Sequence, residues 1–158
     1  MLPILNDYLD RLQALHADIR RAITGLPQAA LDWSPGPEMN SLAVLAAHIA
    51  GSERYWIGDV AGGEPSGRDR AAEFQTKAAD ADSLLARLDA ALAHSQTVLE
   101  RLTLPELEEP RRMPPGSARG ERVVTGAWAL AHALEHVAIH VGHTQIVRQL
   151  WDQAHADK

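Results

Sequence analysis

Four stretches of the sequence repeat their apolar residues every three or four positions, and breaker-rich segments separate them. That period belongs to α-helices that lie with one face against a core. No alternation at period two runs long enough to suggest a sheet, and no unit of about 20–50 residues repeats. The simplest architecture for four such helices is an all-α four-helix bundle. At 158 residues the chain suits a single domain, spanning 1–158, with a core large enough to need no covalent staples.

The first helix is predicted from about Ile4 to Leu26, on the stripe Leu5, Leu9, Leu12, Leu15, Ile19, Ile23 and Leu26, with Gly25 and Pro27 ending it. Pro35-Gly36-Pro37 bars a helix through the next segment, although Leu31 and Trp33 predict that it packs back on the bundle. Asn40 or Ser41 can cap the second helix, predicted from about Leu42 to Val60 with Leu45, Ile49, Trp56 and Val60 inward. His48 lies on that same side. The third helix is predicted from about Ala71 to Leu102, with a late start near Asp82 as an alternative. Residues 105 to 122, with four prolines and four arginines, read as a mobile surface loop or, functionally, as a flap over a site. The fourth helix, about Val123 to Gln153, is apolar nearly all round, with Ala127, Leu130, Ala131, Leu134, Ala138 and Val141 as one stripe. Such a helix is usually central or at a subunit contact, and a homodimer is expected.

Several function classes are disfavoured at once. There is no cysteine, so disulfides, thiolate metal sites and thiol catalysis by this chain are excluded. The formal charge is −6 at pH 7, and an acidic chain repels phosphate backbones, so no nucleic-acid partner is expected. No apolar run reaches the ~18–20 residues of a membrane span. The first residues meet charge too soon for a signal peptide, and a cytoplasmic protein is expected.

Histidine is the anomaly. The chain has eight, and His132, His136, His140 and His143 fall within twelve residues. Steps of four residues advance only about 40° around a helix, so His132, His136 and His140 form one ridge. Neighbours on such a ridge are ~5–6 Å apart at Cβ, close enough for two imidazoles to grip one transition-metal ion. A third ligand from another helix would fix the ion, and His48 is the best candidate. Spacing does not choose between His132/His136 and His136/His140. Hydrogen-bonded core histidine is the bland reading of His48, and a solvated strip that of the ridge. Against the strip, Ile139, Val147 and Leu150 flank the ridge. The run His132-Ala133-Leu134-Glu135-His136 matches the inverted zinc-peptidase pattern literally, but five residues with two free positions are a weak match. No Gly-rich phosphate loop and no nucleophilic triad is readable.

Two stretches resemble the DinB/YfiT-like superfamily of metal-binding helical bundles. The first is Leu31-Asp32-Trp33-Ser34-Pro35, then Asn40-Ser41-Leu42, leading into His48-Ile49-Ala50-Gly51-Ser52-Glu53-Arg54-Tyr55-Trp56-Ile57. It is similar to that family's proline loop, Asn-Ser helix start and Leu-x-x-His-x-x-x-x-Glu-x-x-Trp helix. The second is His136-Val137-Ala138-Ile139-His140-Val141-Gly142-His143-Thr144-Gln145-Ile146, similar to the family's His-x-x-x-His-x-Gly-Gln segment. Together they span most of the chain.

The resemblance implies a four-helix bundle, often dimeric, with His48, His136 and His140 on one divalent transition metal such as zinc, nickel, iron or manganese. It demotes His132. His143 stands where many relatives have Gln, and Val141 where many have Arg, which bears on substrate preference. Three protein ligands leave a vertex open for chemistry. Characterised relatives include thiol S-transferases and thiol-dependent isomerases. The expected function is therefore metal-dependent thiol S-transfer between a small-molecule substrate and a low-molecular-weight thiol. A metal-dependent hydrolase using bound water is the first alternative, and a non-catalytic metal or small-molecule binding bundle the second. Glu53 or Gln145 is a candidate to orient a ligand or substrate.

Overall fold

The computed structural model describes residues 1–113 and 122–156. Helix α1, Pro3–Ile23, begins on a proline at its first position, where the missing N–H costs nothing. It buries Leu5, Leu9, Leu12, His16, Ile19, Ala22 and Ile23; of the expected stripe Leu15 and Leu26 are only partly buried, and His16 and Ala22 join it. It stops before Leu26 because Gly25 takes φ 76°, a left-handed turn conformation that glycine adopts at no steric cost. A single turn, α2 (Gln28–Leu31), follows. The proline loop then packs back on the bundle: Leu31 is buried, and the Trp33 ring meets Trp151 edge-on at 5.7 Å.

Ser41 caps α3 (Leu42–Glu53), accepting from the Val44 N–H at 3.3 Å. The helix continues as a π-helical segment, Arg54–Ala61. Nearly every residue of the two is buried. Next comes α4, the single turn Arg70–Glu73, with Asp69 capping it. The third long helix, α5 (Ala81–Arg101), begins late, where Asp80 and Ser83 form a reciprocal cap. The early start near Ala71 is thus corrected in favour of the late one: residues 71–80 offer no large apolar stripe to hold a helix on the core.

The connection expected to be irregular is partly ordered. It contains α6 (Leu104–Glu108) and an antiparallel ribbon, β1 (Pro110–Arg112) with β2 (Val123–Thr125), in which Arg111 faces Val124. The remainder of the suggested flap, 114–121, lies outside the described residues. Thr125 then caps α7, Gly126–Ala154, by accepting from the Trp128 N–H.

Helices α1 and α3 each pack on both α5 and α7, which makes the four-helix bundle. The buried face of α7 is Ala129, Leu130, Ala133, Val137, Val141, Thr144 and Val147. The expected stripe is therefore rotated: Ala127, Ala131 and Ala138 are exposed. Alanine lies on every side of this helix and cannot mark an inner face by itself. Among the described residues, no helix is long and apolar enough to cross a membrane.

Candidate metal centre

The second and last long helices bring the three nominated histidines together. His48 projects from α3 and is buried; His136 and His140 project from α7 and are half-buried. One ring nitrogen from each lies within 4.8 Å of the others. His48 Nε2 and His136 Nε2 are 3.1 Å apart, and the ring centroids of His136 and His140 are 4.4 Å apart. Two nitrogens each ~2.0–2.1 Å from one ion, at tetrahedral or octahedral angles, sit roughly 2.9–3.4 Å apart. The closest pair has that spacing.

Protonation also suits a cation. Burial first, then the neighbouring His140 and His48, pushes His136 down from 6.5 to about 3. Burial and His48 push His140 down to about 4. Both imidazoles are neutral at neutral pH, the form that binds metals. His48 Nδ1 donates to the Glu73 carboxylate at 2.8 Å, so its Nε2 presents a lone pair to His136. Burial alone would raise the Glu73 carboxyl, but hydrogen bonds from Arg68 and His48 hold it below the usual carboxylate range. His136 Nδ1 is buried with no hydrogen-bond partner. Converging neutral imidazoles with few protons to share form a donor set that a divalent cation fits.

The same shifts give a stability prediction. Between pH 6.5 and about 4 the unfolded histidines bind protons that the folded ones refuse. Stability therefore rises with pH across that window, is complete above it, and falls as acid is added. The metal-free protein should melt at a lower temperature at pH 4.5 than at pH 7.5, with a shallower slope in His136→Gln. Equal slopes in the two proteins would contradict the assignment.

The other ridge histidines do not join the cluster. The His132 ring stacks on Trp128, with centroids 5.2 Å apart, and meets Trp56 edge-on at 4.6 Å. His143 is exposed, with its Nδ1 3.2 Å from His140 Nδ1. Glu53 is corrected: it is wholly buried and binds His16 and Ser95. Five residues past His48, it lies about 140° around the helix from it, on another face. Gln145 is exposed on α7. Sequence reasoning missed Glu73 and Arg68. Arg68 sits in a breaker-rich connection and Glu73 at the early end of the predicted third helix, off any apolar stripe, and the available signal was a glycine, Gly51, one turn after His48.

An all-α bundle with histidines converging from its second and last long helices belongs to the DinB/YfiT-like class. More narrowly, the chain belongs to the mycothiol S-transferase family, whose sequence model matches residues 5–153. No curated protein sequence matches it significantly. Among solved structures, a conserved protein from Enterococcus faecalis is similar at 16% identity and TM-score 0.75, covering 95% of this chain and 98% of that one. YfiT from Bacillus subtilis, described as a probable metal-dependent hydrolase with an unusual four-helix bundle topology, is similar at 18% identity and TM-score 0.73, covering 94% and 89%. A mycothiol-dependent maleylpyruvate isomerase is similar at 16% identity and TM-score 0.64, covering 89% of this chain and 60% of that one. At these identities the structural likeness speaks to the fold alone.

Proposed function

We propose that this chain is a metal-dependent thiol S-transferase acting with a low-molecular-weight thiol. His48, His136 and His140 hold its one divalent ion, of zinc, nickel, iron or manganese. The observation that carries the reading is the convergence of three histidine nitrogens within 4.8 Å in a chain of the mycothiol S-transferase family. When bound, the ion supplies Lewis acidity that favours the thiolate of a coordinated thiol. The chain's own residues hold and aim. Glu73 anchors His48 through Nδ1, leaving Nε2 toward the cluster. Ser52 sets a hydroxyl 3.5 Å from His136 Nε2. The chain has no cysteine, so the reacting sulfur belongs to the cosubstrate. Membership of the mycothiol S-transferase family supports that choice of cosubstrate.

The test is an assay of metal-loaded protein with mycothiol or a related thiol and an alkylating or activated aryl electrophile. Thioether should form only with protein, metal and thiol together, and chelation should stop it. Hydrolysis of esters or amides without thiol would establish the metal-dependent hydrolase instead. Silence in both assays would leave a binding bundle and overturn S-transfer. A homodimer belongs to the same proposal. Ile139 and Ile146, seven residues apart on α7, are 53% and 49% exposed and suit a contact between copies. A monomeric mass by light scattering would remove that part.

A further inference from the structure

We infer that Glu73 is a positioning residue for the metal centre, and that Gly51 is the gap in α3 that admits its carboxylate to His48. The inference rests on the reading of His48 as a ligand. Glu73 ends the one-turn helix α4 and is 2% exposed. Its Oε2 accepts from His48 Nδ1 at 2.8 Å. Arg68 grips the same carboxylate with two bonds, Nε to Oε1 at 2.6 Å and Nη2 to Oε2 at 2.8 Å. The Arg68 guanidinium in turn lies over the Tyr55 ring at 5.5 Å. The carboxylate is thus clamped by Arg68, and its Oε2 is shared between the guanidinium and the imidazole, whose Nδ1 lies 3.4 Å from Arg68 Nη2.

The approach is possible only over glycine. A Cβ built on Gly51 would lie 2.0 Å from Glu73 Oε1 and 2.7 Å from its carboxyl carbon. A side chain at 51 must therefore displace the Glu73 carboxylate from this position. Gly51 follows His48 by three residues, hence on the same side of α3 one turn along. The ligand and the gap beside it are thus set by one helix, and the clamp by the segment after it.

The consequence is chemical. Imidazole offers a metal one nitrogen, and the hydrogen bond made by the other decides which. With Nδ1–H committed to Glu73, Nε2 carries the lone pair and faces His136 Nε2 at 3.1 Å. Without Glu73 the ring can rotate or exchange tautomers, and its nitrogen is a weaker base. Loss of such an outer partner costs metal affinity by roughly 10–100-fold.

The experiment measures cobalt(II) binding to the full chain by chelator competition and follows the visible absorption of the bound ion. Glu73→Ala should weaken binding about 10–100-fold and alter the spectrum. Glu73→Gln, which keeps an acceptor for Nδ1–H, should retain most of the affinity. Gly51→Ala should resemble Glu73→Ala. Both act through one contact, so Gly51→Ala/Glu73→Ala should bind no more weakly than the worse single variant. Native affinity and spectrum in Glu73→Ala would overturn the inference. So would losses that multiply in the double variant, or native binding by folded Gly51→Ala should Glu73→Ala fail to fold. His48→Ala separates the two levels: retained cobalt there would sink the ligand assignment itself, whereas lost cobalt with an indifferent Glu73 would sink this inference alone.

Discussion

His48→Ala, His136→Ala and His140→Ala should each strip the protein of its metal, whereas His94→Ala and His132→Ala should leave about one ion per chain. The first three supply the nitrogens that meet within 4.8 Å. Removing any one leaves two, and the expected loss of affinity exceeds the ~10–100-fold attached to outer partners. The controls are chosen for their surroundings. His94 pairs with Glu64 at 2.9 Å on another helix. His132 shares the ridge but stacks on Trp128. Elemental analysis of purified protein gives the answer directly. If His94→Ala and His48→Ala lost metal alike, or kept it alike, the ligand set would be wrong.

The contrast between His132 and its neighbours marks where the sequence stops being legible. A ridge of histidines at steps of four is periodic, and periodicity cannot pick one pair from another. What separates them is the crossing of α7 over α3 and its π-helical continuation. His136 and His140 reach His48, with ring centroids at 4.9 and 5.0 Å, while His132 reaches Trp56, two turns further on. The resemblance to a known superfamily nominated the pair that geometry brings together; spacing alone did not.

Legibility of the helices follows the same logic. In α1, leucine and isoleucine alternate with charge, and the buried face can be read directly. In α7 the alanines are too small and too evenly spread to point inward, and packing against both α1 and α3 decides the face. The Glu73–His48 contact spans 25 residues between the one-turn helix α4 and α3, and no local pattern encodes it.

Glu53→Ala should destabilise the bundle strongly, and it should leave the metal content untouched. Glu53 is wholly buried. Its Oε2 meets His16 Nε2 at 2.6 Å, and its Oε1 accepts from Ser95 Oγ at 2.7 Å. One carboxyl group therefore ties α3 to α1 and α5. Removing it leaves an imidazole and a hydroxyl facing each other in a dry interior. Breaking a buried pair in this one-sided way costs about 3–5 kcal/mol, a large part of a typical stability of ~5–15 kcal/mol. At ~2–4 °C per kcal/mol for a chain of this size, the melting midpoint should fall by roughly 6–20 °C. Glu53→Gln keeps an acceptor for Ser95 and should cost less. Replacing all three partners together, with leucine at 16 and 53 and alanine at 95, should restore most of the loss, since well-packed apolar groups leave nothing unpaired. A Glu53→Ala protein that melted like the native one would show that the network holds nothing. One that stayed folded but lost its metal would show that Glu53 serves the site despite facing away from it.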